Sequence, residues 1–195
     1  MGDPSVSPHA ADLALAAAAG AGDLNAAEHF MRRALPVVRR VARAIIADRT
    51  ESEDALQLAL IEVLGAAQTY RGTGALEPWI RKVASRVVLR HARKLRSSRL
   101  QDLEESGELG TTAMGTTMLD SLPRPLEEYL RVLPERQRTA LMLRHALGHT
   151  IPEIAELTNS PEPTVVSRIK KARQQVRRLI QRDINLGANP VARTS

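Results

Sequence analysis

One stretch in the middle of the chain limits what the rest can fold into. From Leu100 to Glu128 there are seven acids (Asp102, Glu104, Glu105, Glu108, Asp120, Glu127 and Glu128) against a single base, Arg124. The centre of this stretch, Gly107 to Thr117, is rich in Gly and Thr and poor in apolar side chains. It cannot bury enough surface to offset the entropy lost on ordering, so it reads as a flexible acidic linker. The 195 residues therefore divide into two small domains instead of one core. The expected boundaries are 23–96 for the first domain, 97–123 for the linker and 124–183 for the second domain. Residues 1–22 form a disordered or weakly helical leader, and 184–195 a tail.

Charge on either side of the linker has the opposite sign. Eight Lys or Arg and no acid lie between Arg81 and Arg99, and seven bases and no acid between Pro163 and Arg182. With a net charge of +6 and a pI near 10.4, a polyanion is a natural partner. No cysteine is present, which excludes disulfides, thiolate metal sites and a cysteine nucleophile, and fits a reducing cytosol. Leu13 to Ala21 is apolar, but it is preceded by Asp3 and Asp12, not by a basic segment, and is too short to span a bilayer. A cytoplasmic protein with no membrane insertion is expected.

The periodicity is helical throughout. Phe30, Ala34, Val37, Val41 and Ile45 recur at steps of three and four and give one apolar stripe, which Pro36 interrupts and should kink or restart. Thr50 with Glu53 has the spacing of a capping box, opening a helix striped by Ala55, Leu56, Ala59, Leu60 and Val63. Tyr70-Arg71-Gly72-Thr73-Gly74 then breaks the pattern as a turn or irregular loop. A third helix follows Pro78, with Leu76, Ile80, Val83 and Val87 inward, Trp79 packed into the core and basic residues over much of the remainder.

The second domain reads as a helix-turn-helix. A helix from Glu135 to Leu147 stops at Gly148, and Thr150 with Glu153 forms a capping box for a short helix. Asn159-Ser160 is the turn, and Pro161 opens a helix whose stripe is Val165, Ile169, Ala172, Val176 and Leu179. With that stripe inward, Thr164, Ser167, Arg168, Lys171, Gln174 and Arg178 face outward. A helix of this kind fits the major groove, where Arg can read guanine and Lys can meet phosphates. A merely solvated face would mix both signs of charge. The fold class is therefore all-α, two small helical domains joined by a flexible acidic linker.

Several segments of the chain resemble a known family. Leu133-Pro134-Glu135-Arg136-Gln137, Glu153-Ile154-Ala155-Glu156-Leu157 and Thr164-Val165-Val166-Ser167-Arg168-Ile169 resemble the promoter-binding domain of sigma factors. Asp54-Ala55-Leu56-Gln57, Tyr70-Arg71-Gly72 and Trp79-Ile80-Arg81-Lys82-Val83-Ala84 resemble their polymerase-binding and promoter-melting domain. The combination is that of the extracytoplasmic-function group, which keeps only these two domains, and it covers Asp23 to Arg182.

The resemblance implies an alternative sigma factor that binds core RNA polymerase and directs promoter recognition, DNA opening and initiation. Asp54, Gln57, Leu58 and Glu62 would dock on the coiled-coil clamp of the polymerase. Tyr70, Arg71 and Gly72, in a loop reaching Glu77, would capture a flipped base of the melted non-template strand at the minus-ten element. Lys82, Arg86, Arg90 and Arg93 would lie against minus-ten DNA. Thr164, Ser167, Arg168 and Lys171 would read the duplex at minus thirty-five. The linker would imitate nucleic acid within the polymerase, and an anti-sigma factor is an implied partner. This chain departs from the family at Leu58 (usually Glu), at Arg86 and Arg90 (commonly Asn and Asp), at Val166 (often basic) and at Pro163 (commonly Gly). With so few aromatic residues, strand separation would rely on Tyr70, Trp79 and charge.

Other function classes fit less well. A self-sufficient helix-turn-helix regulator leaves the first domain and the linker unexplained, while a decoy that sequesters polymerase would share the same signatures. An enzyme would need grouped carboxylates or histidines, yet both basic stretches lack acids. No P-loop, nucleophile elbow or metal-ligand spacing occurs, and His91, His145 and His149 form no cluster. No catalytic residue, metal, cofactor or small-molecule substrate is therefore expected, and the histidines are expected at the surface or partly buried.

Overall fold

A computed structural model describes residues 9–106 and 122–187 of the chain, and the described residues are helical with no strand. The chain splits into two compact units, Met1–Thr112 and Ala113–Ser195. The Gly107 to Thr117 centre of the expected linker lies outside the described residues.

In the first unit, α1 (Ala10–Gly20), α2 (Leu24–Ile45), α3 (Arg49–Gly65) and α4 (Leu76–Ser106) pack together, with a short 3-10 turn at Ala67–Thr69. The central helix is α2, which packs against α1, α3 and α4. It buries the expected stripe of Phe30, Ala34, Val37, Val41 and Ile45, together with Val38 and Ala42. Pro36 neither breaks nor restarts it. The ring stands on the exposed side, where water can satisfy the Arg32 carbonyl deprived of its donor. The cap of α3 also differs from the expectation: Asp48, not Thr50, accepts from the Glu51 amide at 2.9 Å. Asp and Thr compete for such sites, and the residue whose backbone is already extended serves as cap. In α4, Leu76, Ile80 and Val87 are buried as expected, whereas Val83 is half-buried and Ala84, Val88 and Leu89 complete the inner face.

Three segments depart from the expected boundaries. The leader is not a loose appendage, because α1 packs on α2 and on the 3-10 turn. Ala16 and Ala19 are buried, and the small Ala side chains allow a close helix approach. Asp12 pairs with Arg33 of α2 at 2.7 Å, and that guanidinium holds its carboxyl below the usual range. Gln68 donates to the Gly20 carbonyl at 2.6 Å. At the other end, α4 continues through Ser106 into the expected linker. Residues 97–106 contain good helix formers and no Gly or Pro before Gly107. Likewise α8 runs to Gly187, past the expected start of the tail.

The second unit contains α5 (Leu126–Arg131), α6 (Glu135–His145), α7 (Ile151–Thr158) and α8 (Glu162–Gly187). The helix α6 ends slightly before Leu147. Gly148, at φ +68°, lets the His149 amide reach back to the Leu143 carbonyl. His149 itself is 1% exposed, contrary to the surface or part-buried position expected of it. The tight reversal between α6 and α7 turns its ring inward, with Nδ1 3.7 Å from Glu153. The Thr150–Glu153 capping box is present in full. Arg124 and Asp183, at the two ends of this unit, meet through Tyr129. The buried Tyr129 hydroxyl donates to Asp183 Oδ2 at 2.8 Å, Arg124 Nε donates to the same oxygen at 2.7 Å, and the guanidinium lies 5.2 Å from the Tyr129 ring centre.

Two predictions follow from these contacts. Gly72 has φ +67°, and a Cβ there would stand 3.3 Å from the Leu13 Cβ of α1. Gly72→Ala should destabilise the first unit by about 1–2 kcal/mol, and Gly72→Asn by less, because Asn tolerates the left-handed region. Chemical denaturation followed by the fluorescence of Trp79, the sole tryptophan, measures both. Asp183 is held below the usual carboxylate range by its bond from Arg124 and then by that from Tyr129. A depressed carboxyl adds stability above its unfolded value near about 3.9, and this is lost as pH falls through the folded value. Asp183→Asn should therefore weaken protection of the α5 amides at pH 7 and flatten its loss on acidification, as read by hydrogen exchange.

Candidate nucleic-acid interface

The helix-turn-helix of the second unit is built by α7 and α8. Asn159 adopts the left-handed conformation at φ 47°, the Ser160 amide reaches back to the Ala155 carbonyl, and the chain reverses within three residues. Ile154 and Leu157 of α7 and Val165, Ile169 and Ala172 of α8 are buried, while Val176 and Leu179 are half-buried. Burying each Val, Leu or Ile contributes roughly 1.5–3 kcal/mol, which fixes the rotation of α8 and hence the side chains it presents.

Thr164, Ser167, Arg168 and Lys171, the four residues expected to read duplex DNA, line one groove. Arg136 and Gln137 from the start of α6 form its other wall. Ser167 and Lys171 are exposed, whereas Thr164 and Arg168 are half-buried. Arg168 donates to the Ser160 hydroxyl at 2.8 Å, so its guanidinium braces the turn as well as facing the groove. A second groove on the other flank of α8, missed by the sequence reading, is lined by Arg144, Val166, Lys170, Arg173, Gln174 and Arg177. Its signal was present in the wheel: with Val165, Ile169 and Ala172 inward, Ser167 and Gln174 point most directly outward, and Lys170 lies as far to one side of them as Lys171 to the other. The expected face was thus rotated towards Thr164 and Arg168.

In the first unit, Asp54, Gln57, Leu58 and Glu62 are all exposed on one side of α3, opposite the buried Ala55, Leu56, Ala59 and Val63. Between them stands Ile61, 68% exposed, which the sequence reading did not single out; with Leu58, 45% exposed, it makes an apolar pair within a polar frame. Lys82, Arg86, Arg90 and Arg93 share a face of α4 at steps of four, four and three. The structure joins two of the expected sites, because Arg90 forms an ion pair with Glu62 across α3 and α4.

The loop before α4 is organised differently from the expectation. Tyr70 is 4% exposed, its ring centre 5.7 Å from that of Trp79, and its hydroxyl donates to the Gly74 carbonyl. Burial pushes its phenol up. Trp79 in turn meets Phe30 edge-on at 6.5 Å, so these three aromatics form one cluster under the loop. Tyr70 is therefore not an exposed surface on which a base could stack, and Gly72 is buried beneath Leu13. What the loop offers to a partner is Arg71 and the exposed Thr73, Gly74 and Ala75. Among the described residues no group of His, Asp and Glu could hold a metal ion, and no helix is long and apolar enough to cross a membrane.

Comparison with known proteins agrees on both halves. Residues 30–98 match the family "Sigma-70 region 2", and residues 118–176 match "Sigma-70, region 4". The RNA polymerase sigma-H factor of Pseudomonas aeruginosa is 30% identical over 69% of this chain and 75% of its own length. The ECF RNA polymerase sigma factor SigM of Mycobacterium tuberculosis is 28% identical over 91% and 88%. Among solved structures, the sigma factor RpoE of Bartonella quintana, crystallised with the anti-sigma factor NepR, has a TM-score of 0.63. It is 19% identical over 79% of this chain and 96% of that one. CnrH, in complex with the cytosolic domain of CnrY, has a TM-score of 0.55 at 20% identity, over 89% and 99%. The two helical units, their basic faces and these relatives place the chain among the extracytoplasmic-function sigma factors, non-enzymatic subunits that direct RNA polymerase to promoters.

Proposed function

We propose that the two units divide the work of initiation between the faces described above. The observation that carries this reading is the groove on α8 where Thr164, Ser167, Arg168 and Lys171 converge, its lining holding three bases (Arg136, Arg168 and Lys171) against the single acid Glu135. That helix reads the minus-thirty-five element in the major groove, with Lys170, Arg173 and Arg177 on its other flank holding phosphates. The α3 face of Asp54, Gln57, Leu58, Ile61 and Glu62 docks on core polymerase, with the apolar pair at its centre and the polar residues as a rim. Lys82, Arg86, Arg90 and Arg93 of α4 hold minus-ten DNA by charge.

The loop contributes to opening through Arg71 and the exposed backbone of Thr73 to Ala75, and Tyr70 and Gly72 set its shape instead of touching the base. Work of this kind belongs to the cytoplasm. An anti-sigma factor is a fitting regulator, since two proteins of similar fold were solved with partners of their own, one of them named as an anti-sigma factor.

Run-off transcription on genomic fragments with core polymerase and the full chain tests the reading as a whole, and absence of any defined start site would overturn it. Leu58→Asp or Ile61→Asp should lower affinity for core polymerase by about tenfold or more, because a charge then enters a desolvated contact. Lys171→Ala in the holoenzyme should weaken promoter binding at every sequence. It should also reduce the slope of log affinity against log salt by about 0.9, the signature of one lost phosphate contact.

A further inference from the structure

The first two turns of α8 hold only one guanidinium, that of Arg168, and it is half-buried and bonded to Ser160 in the turn. Guanine is read most often by a guanidinium or ammonium group reaching O6 and N7 together. Beside it, on the flank that lines the second groove, stands Val166, 50% exposed, one turn into the helix and next to the exposed Ser167 and Lys170. Its neighbours inward, Val165 and Ile169, are buried, so α8 cannot rotate to hide it without exposing its own core stripe. A single exposed valine is ordinary on a protein surface. This one lies on the N-terminal part of the second helix of a helix-turn-helix, where side chains meet base edges. An isopropyl group has no hydrogen bond to give. The feature of a base edge that it matches is the C5-methyl group of thymine, which only the major groove presents.

We propose that Val166 is a specificity-determining residue that reads a thymine methyl group within the minus-thirty-five element. The proposal rests on the reading that α8 enters the major groove there. Ser167 and Lys170 beside it bond the neighbouring base or phosphate groups, and the isopropyl group excludes water from the methyl. A cytosine at the same place lacks that methyl and presents an amino donor that Val166 cannot satisfy, so the position discriminates against it. Lys171, on the other flank, supplies charge without choosing a base.

The test uses the holoenzyme and the promoter duplex mapped by run-off transcription, with each thymine of the minus-thirty-five element replaced singly by deoxyuridine. Deoxyuridine pairs as thymine does and differs only by the methyl group. One replacement should weaken binding by about fourfold, the worth of one buried methyl group. Val166→Ala should abolish that difference while the other thymines behave as before. Because Val166 is half exposed, this variant keeps the fold, and the Trp79 and α5 signals verify it.

Equal affinity for every deoxyuridine duplex, or an undiminished methyl effect in Val166→Ala, would overturn the proposal and leave the docking of α8 intact. A different pattern marks failure of the docking itself. If Lys171→Ala and wholesale replacement of the element both leave affinity unchanged, α8 does not read this DNA and the methyl contact falls with it.

Discussion

Two helices of this protein carry rows of positive charge with no acid in the same stretch of sequence, and burial of their opposite faces is the main force that holds them in place. In α8, like charges three or four residues apart oppose the helix by about 0.2–0.5 kcal/mol per pair. Each buried Val, Leu or Ile returns roughly 1.5–3 kcal/mol, so Val165 and Ile169 with their partners Ile154 and Leu157 outweigh the repulsion. The same balance holds for α4 over Ile80, Val87, Val88 and Leu89. The charge that strains these helices is the charge that a polyanion relieves. A basic face of this kind is tolerable in the free protein and better satisfied against nucleic acid, which draws much of its affinity from the release of condensed counterions.

This dependence on one-sided burial explains why so much of the architecture is legible in the sequence. Stripes such as Phe30, Ala34, Val37, Val41 and Ile45 are local and periodic, and they appear buried where the spacing puts them. The capping box at Thr150 and the glycine stop at Gly148 are equally local, each needing only residues within one turn. The failures are of two kinds. At Thr50 and Asp48 two good caps lie close together, and the backbone at Asp48 decides between them. At Pro36 the sequence shows a breaker but not that its ring faces water, where the unpaired carbonyl costs little.

The long-range contacts around the loop before α4 were not legible at all. Nothing in a run of alanines tells that Ala16 and Ala19 will meet α2, or that Leu13 will lie over Gly72. Tyr70 shows the consequence most clearly. The resemblance implied that Tyr70 helps to capture a flipped base, yet its ring is buried beside Trp79. Only four aromatics occur in the chain, and three of them form the cluster that fixes this loop. The scarcity of aromatics therefore has a structural reading. The few that exist shape the loop proposed to meet DNA, where Arg71 and Thr73 to Ala75 are the exposed residues.

The Glu62–Arg90 pair brings the two faces of the first unit into one electrostatic account. Glu62 belongs to the side of α3 proposed to meet polymerase, and Arg90 to the row on α4 proposed to meet DNA. Both side chains are about half exposed, so the pair contributes on the order of 0–1 kcal/mol. An interaction that weak does not hold Arg90 against a phosphate, which offers it a full charge in a more desolvated setting. Its effect is on geometry. It keeps a long side chain from ranging freely and limits the rotamer entropy lost when DNA arrives. A basic row assembled in this way is partly preorganised by the neighbouring helix, at a point where the face proposed for polymerase and the face proposed for DNA meet.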